Sequence, residues 1–385
     1  MLLMMRIILD TNLWSSIGDE MVASSFDALM KSQSLQVVVP PSILVEVLQL
    51  PKSEARDRII RALAKGPRYR LPTEAQSMSD EIVSEVRRTR PAWMRSMPDT
   101  ARVWSLNNSW TKRIWRAALE DSGPMHEYET SYASLTEALV RAQRVQRRDY
   151  ATSSFTVLPL TALTVTPDPD NPRSRLPGWP GEPVEAWRVS CCVLFWHQLA
   201  VIGGRAILTK EEATFADWVG AYVDLSKLRS SPEDFTRFWL YDVNRDALPR
   251  NWLRWAVNLA QLEVKVTHGN PADEQHSTYL LDSDLFLTAD ARYVSVLEMV
   301  RKSSPFKFAK SCLVSGDRDI PIIDRLEASL HDLEMSGQLD VPESLGGPDH
   351  IDYVIPIDSK LGLPCKLCSI TGKYSHPQKR STSTA

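Results

Sequence analysis

The stretch MRIILDTN, Met5 to Asn12, decides the fold class. Met5 to Leu9 is a short, almost unbroken apolar run that stops at Asp10, which is the pattern of a strand covered on both faces in a parallel sheet. Asp10 then stands at the carboxyl end of that strand. Ser24 to Lys31 show helical spacing, Val37 to Val39 read as a second short strand, and Pro40-Pro41-Ser42 introduces a helix with Ser42 as its expected N-cap. Glu46 falls one turn inside that helix. The β-α-β-α alternation predicts an α/β three-layer sandwich with a central parallel sheet.

The alternation stops at Lys65 and returns after Thr267. The intervening segment, 65–267, reads as a mostly helical insertion rich in Trp and Arg. Seven prolines between Pro159 and Pro183 predict a loop or extended linker inside it. Ser231-Pro232-Glu233-Asp234 has an N-cap residue, an N1 proline and first-turn acids in the order that starts a helix. Beyond the insertion, ADEQHSTYLL (272–281) reads as a helix, Leu285 to Thr288 as a buried strand, Asp290 to Lys302 as a helix and Cys312 to Ser315 as a strand. The expected organisation is 1–64 and 268–335 as two halves of one α/β domain around the insertion. A C-terminal extension, 336–385, contains a last strand-like run, Asp352 to Ile357, and a polar tail expected to be disordered.

At 385 residues the chain is long enough for two or three domains, or for one domain with a large insertion. The formal charge of −3 excludes a uniformly basic polyanion binder but leaves room for a local basic face. Five cysteines are too few for a disulfide-stapled secreted fold, and the apolar start is too short for a secretory signal, so the expected location is the cytoplasm. Val189 to Ile202, the most apolar run elsewhere, is too short to span a bilayer and reads as a buried helix, so no membrane partner is expected. There is no G-x-x-x-x-G-K-[ST] loop, no G-x-S-x-G elbow and no H-E-x-x-H pair, which removes NTPase, serine-hydrolase and zincin chemistries.

The chemistry-bearing residues are carboxylates at strand ends and helix starts: Asp10, Glu46, Asp273 and Asp290. In a parallel sheet all strand carboxyl ends open on one edge, so residues distant in sequence converge there. Several carboxylates in one cleft repel each other unless a cation is present, and an all-oxygen donor set suits a hard divalent ion, Mg²⁺ or Mn²⁺. The third acid is open among Asp273, Glu274, Asp282 and Asp284.

RIILDTN (6–12), PPSILVEVL (40–48) and ADEQHSTYLLDSDLFLTADARY (272–293) resemble the PIN domain, a family of metal-dependent nucleases. The resemblance covers about 1–64 and 268–330. It implies a metal-dependent endoribonuclease that hydrolyses RNA phosphodiesters to 5′-phosphate and 3′-hydroxyl ends, with Asp10, Glu46, Asp273 and Asp290 as catalytic acids and metal ligands. Asp284 matches a further acidic position, and Asn12 and Thr288 match supporting or phosphate-contacting groups. Many members resemble toxin components held by a small protein partner, so single-stranded RNA and an antitoxin-like protein are the partners implied. The alternatives are a non-catalytic nucleic-acid or protein-binding module of the same fold and a structure-specific DNA nuclease.

Three further patterns carry expectations. Arg87, Arg88, Arg90, Arg95, Arg102, Lys112, Arg113 and Arg116 are interleaved with Trp93, Trp104, Trp110 and Trp115. Basic charge with aromatics is a single-stranded nucleic-acid track, with Arg87, Arg88 and Arg113 as substrate contacts, or equally the solvated and core faces of helices. Cys365, Cys368 and His376 resemble half of a zinc knuckle whose fourth ligand is missing unless His350 or a partner chain supplies it. Asp282-Ser283-Asp284 matches the D-x-D pair of some glycosyltransferases, a short pattern with a high rate of chance matches.

Overall fold

The structure is a computed structural model that describes residues 4–120, 133–150, 159–203, 214–264, 269–317, 319–336 and 355–356. The chain opens with β1 (Met5–Leu9), α1 (Thr11–Asp19), α2 (Ala23–Ser32), β2 (Leu35–Val39), α3 (Pro41–Gln49), α4 (Glu54–Ala64), β3 (Arg68–Arg70) and α5 (Glu74–Thr89). Two short strands, β4 (Thr164–Val165) and β5 (Val184–Glu185), form a separate ladder, and β6 (Leu285–Thr288), β7 (Lys310–Leu313) and β8 (Ile355–Pro356) follow. The main sheet has the order β7-β6-β1-β2-β3-β8, in which the first five strands are parallel and β8 is antiparallel at the edge. The protein is therefore α/β, with a five-stranded parallel core in which β6 lies beside β1.

Successive residues of a strand point to opposite faces, so a run buried throughout is covered on both sides. Ile7, Ile8 and Leu9 are at most 2% exposed, and Val37 to Val39 and Leu285 to Leu287 are buried in the same way. Each such side chain contributes about 1.5–3 kcal/mol relative to exposure. One helix contact needs glycine: a Cβ on Gly18 of α1 would lie 2.7 Å from Ile59 Cγ1 and 2.8 Å from Ile59 Cα of α4. Its absence lets α1 lie directly on α4.

The strand expected at Cys312 to Ser315 is β7, Lys310–Leu313, two residues earlier, and two other boundaries differ from the sequence reading for clear physical reasons. The expected insertion begins at residue 65, but Arg68–Arg70 joins the sheet as β3, parallel to β2. This strand is too short and too basic to show an apolar run. Arg68 is nonetheless fully buried, its guanidinium 2.5 Å from Asp27 and stacked over Trp14 and Phe26, so a charged residue occupies a core strand position. The expected N-cap, Ser42, lies inside α3. Pro40 is the cap and Pro41 the first helical residue, because a proline at that position is already fixed in a helical φ. Ser42 Oγ is buried without a hydrogen-bond partner.

The region after β3 is mostly helical and shares one continuous apolar core with the sheet-forming segments. Its proline-rich part carries two short turns, Leu160–Ala162 and Pro172–Ser174, and is closed by β4 pairing with β5. Val189 to Ile202 is covered by a helix, Ala186–Phe195, that continues in wider turns through Ile202. Among the described residues no helix is long and apolar enough to cross a membrane. The Cys365, Cys368, His376 and His350 pattern and the polar tail lie outside the described residues.

Candidate active site

The parallel strands β1 and β6 end side by side, and Asp10 N–H donates to Leu287 O at 2.9 Å. Asp10 is the N-cap of α1. Its Oδ1 accepts from Thr11 N at 2.7 Å, and its Oδ2 accepts from Thr288 Oγ1 at 2.6 Å and Asn12 Nδ2 at 2.7 Å. Asn12 Oδ1 in turn accepts from Ala289 N at 3.2 Å, which ties the start of α1 to the turn after β6. Asp290 caps the next helix, Ala291–Ser303, accepting from Arg292 N and Tyr293 N. The DTN and LFLTAD stretches thus build one hydrogen-bonded platform at the carboxyl edge of the sheet.

Glu46 reaches the platform from α3, where its Oε2 accepts from Thr11 Oγ1 at 2.5 Å. Asp273 comes from the helix Asn270–Ser277, which is anchored by the long helix Pro249–Glu263. Arg254 Nε and Asn258 Nδ2 each donate to Glu274 at 2.7 Å, Gln261 Nε2 donates to Asp273 Oδ2 at 3.1 Å, and Arg250 makes a bidentate pair with Asp282 at 2.9 Å. Positions 250, 254, 258 and 261 recur at helical spacing, so one face of this helix grips the acidic segment.

Asp10, Glu46, Asp273 and Asp290 line one cleft of about 290 Å³ together with Thr11, Asn12, Ser15 and Arg292. The four acids come from four segments. The ambiguity over the third acid resolves by contact: Glu274 and Asp282 are held by arginines of the preceding helix, while Asp273 faces the cleft. Asp284 does not belong there. It precedes β6 whereas Asp290 follows it, so the two lie at opposite ends of a four-residue strand that is itself about 13 Å long. Asp284 Oδ2 instead accepts from Arg6 N at 2.7 Å and fixes the start of β1.

The electrostatics bind the acids into one group. Burial raises the Asp273 carboxyl, the charges of Asp10, Asp290 and Glu46 raise it further, and it is pushed up to about 8. Asp10 is also raised, chiefly by burial, against the lowering effects of His276, Thr288 and Thr11. Both shifts follow from carboxylates crowded in a poorly solvated site. Among the described residues no three His, Cys, Asp or Glu side chains enclose an ion as they stand. The donor set still matches a divalent cation in chemistry, since four carboxylates bring only oxygen donors to one cleft and the nearby His276 Nε2 is buried without a hydrogen-bond partner.

The arginines divide. Arg88, itself 51% exposed, pairs with buried Glu85 and donates to Asp242 O, and Arg90 pairs with Asp234 and Asp242, so both brace the helical region while Arg88 still faces solvent. Arg87 and Arg113 are exposed. Trp93 and Trp115 are core residues, and Trp104 is 63% exposed. Sequence reasoning missed Thr11, Gln261 and Arg292. Thr11 and Arg292 lie within two residues of a cleft acid, but nothing local marks Gln261. Family models, curated proteins and solved structures give no match to this chain.

Proposed function

We propose that this chain is a metal-dependent endoribonuclease with a PIN-like domain, active on single-stranded RNA. The observation that carries the reading is the convergence of Asp10, Glu46, Asp273 and Asp290 from four segments on one cleft at the carboxyl edge of a parallel sheet. Asp10, Asp290, Glu46 and Asp273 would hold Mg²⁺ or Mn²⁺, which when bound neutralises these acids and favours negative charge developing on a phosphodiester.

The chain's own residues supply the rest. Thr288, Asn12 and the Thr11 amide fix both oxygens of Asp10, so its orientation is set before substrate arrives. Glu46 and Asp273 position the attacking water and take its proton. The water oxygen bonds to phosphorus in line, the bond to the 3′ oxygen breaks as that oxygen takes a proton from solvent water, and the products carry a 5′-phosphate and a 3′-hydroxyl. Arg292, at the cleft wall 3.4 Å from Asp290, places a guanidinium where a phosphate enters. Exposed Arg87 and Arg113 extend the attraction for RNA, and an antitoxin-like protein that masks the cleft is the partner this reading implies.

The test is incubation of end-labelled single-stranded RNA, structured RNA and DNA with the full chain in Mg²⁺, Mn²⁺ or EDTA. Metal-dependent cutting of single-stranded RNA supports the reading, and preferential cutting of structured DNA replaces the substrate class. The second reading, a non-catalytic binding module of the same fold, draws on the absence, among the described residues, of three acids spaced to enclose an ion. RNA binding with no cutting under any of these conditions favours it.

A further inference from the structure

His276 is 5% exposed, and its Nε2 atom is buried with no hydrogen-bond partner. It lies on the helix Asn270–Ser277, one turn beyond Asp273, so the two side chains share a face. Nε2 stands 3.8 Å from Glu46 Oε2. That is beyond the 2.7–3.2 Å range, roughly, of a hydrogen bond, so the nearest acid does not satisfy it. A buried polar atom left unpaired is costly and calls for an explanation. Glu46, its nearest acid, lines the cleft together with Asp10, Asp273 and Asp290.

The distance has a direct chemical meaning. Two donors on one ion, each about 2.1 Å from it, lie at most ~4.2 Å apart. A 3.8 Å gap between an imidazole nitrogen and a carboxylate oxygen is therefore one that a single cation can span, while a proton cannot bridge it well. Neutral imidazole is the commonest metal ligand among side chains. Mg²⁺ prefers oxygen and keeps its waters, whereas imidazole suits first-row transition ions.

Resting on the metal-dependent reading above, we propose that His276 Nε2 is a metal ligand beside Glu46. It makes the centre a mixed nitrogen–oxygen site that selects a divalent transition cation over Mg²⁺. The expected all-oxygen site is thereby changed at one donor, and the choice of metal becomes a property of the helix that also carries Asp273.

The experiment uses the full chain and needs no turnover. Calorimetric titration with Mn²⁺ and with Mg²⁺ is compared between wild type and His276→Gln, and electron spin-echo spectra are recorded on the Mn²⁺ forms. The wild type is expected to bind Mn²⁺ at least about 10-fold more tightly than Mg²⁺, with most of that preference lost in the variant. Nitrogen-14 modulation from a directly bound imidazole is expected in the wild type and absent from His276→Gln. Mn²⁺ binding without nitrogen modulation in the wild type, a result that depends on no variant folding, overturns the ligand assignment and leaves the nuclease reading standing. Equal affinity for the two ions also overturns it. A wild type that binds neither ion overturns both.

Discussion

Gln261 donates a 3.1 Å hydrogen bond from Nε2 to Asp273 Oδ2, so a residue of the helical region after β3 holds one of the four acids of the cleft. Arg254 and Asn258 on the same helix bind Glu274, the next residue. The helical region is thus part of the site's construction. It fixes which acid turns inward, and any account of the chemistry has to include it.

Breaking that grip has a predictable cost. Arg254→Ala leaves Glu274 partly buried without its cation, and stability is expected to fall by about 3–5 kcal/mol, the range for removing one partner of a buried ion pair. Denaturant unfolding measures this. Gln261→Ala, by contrast, is expected to change stability little while weakening metal binding, because only the orientation of Asp273 is lost.

The raised Asp273 carboxyl gives the metal-free chain a characteristic pH response. Its proton is held up to about pH 8 in the folded state against an ordinary value of 3.8. Between those values the folded chain binds more protons than the unfolded one, so the stability contribution present at low pH is lost as pH rises from about 4 through 8. Thermal melting in EDTA is expected to show a higher midpoint at pH 6 than at pH 8.5, with the difference reduced in Asp273→Asn. An unchanged slope in that variant contradicts the assignment.

At Gly18 an added methyl group meets the backbone of Ile59, which cannot yield as a flexible side-chain end would. Gly18→Ala is expected to cost about 1–3 kcal/mol through overpacking. A matching drop in melting midpoint checks it.

The arginines should separate by role. Arg113→Ala and Arg87→Ala are expected to leave melting unchanged and to lower the salt dependence of RNA binding by about one unit of slope each. Arg88→Ala should instead lower the melting midpoint, since Arg88 braces buried Glu85 and the Asp242 carbonyl, and should leave the salt slope unaltered.

Much of the sheet was legible because its strands are buried on both faces: MRIIL and LFLT match β1 and β6 residue for residue, and the Asp that follows each one lies at the shared edge. β3 was hidden, because RYR has no apolar signature and is held in place by Arg68 with Asp27 and the Trp14 and Phe26 rings. Asp10, Glu46 and Asp290 were readable from strand ends and helix starts. The choice of Asp273 over Glu274 and Asp282 was not, since it depends on arginines 20 or more residues upstream that share no local pattern with the acids. Asp284 looked equivalent in sequence, yet strand direction sends it to the opposite edge. Ser42 was misread because a proline pair can start a helix earlier than the nearest hydroxyl.

The most direct measurement of the central claim is the single-turnover cleavage rate of labelled single-stranded RNA in Mn²⁺ for wild type, Asp10→Asn and Asp284→Asn, each checked for folding by circular dichroism. The account predicts loss of at least about 100-fold for Asp10→Asn, beyond the usual effect of groups one step removed from a metal, near-wild-type cutting for Asp284→Asn, and no cutting by any form in EDTA. Equal rates for wild type and Asp10→Asn, or cutting that persists in EDTA, would contradict it.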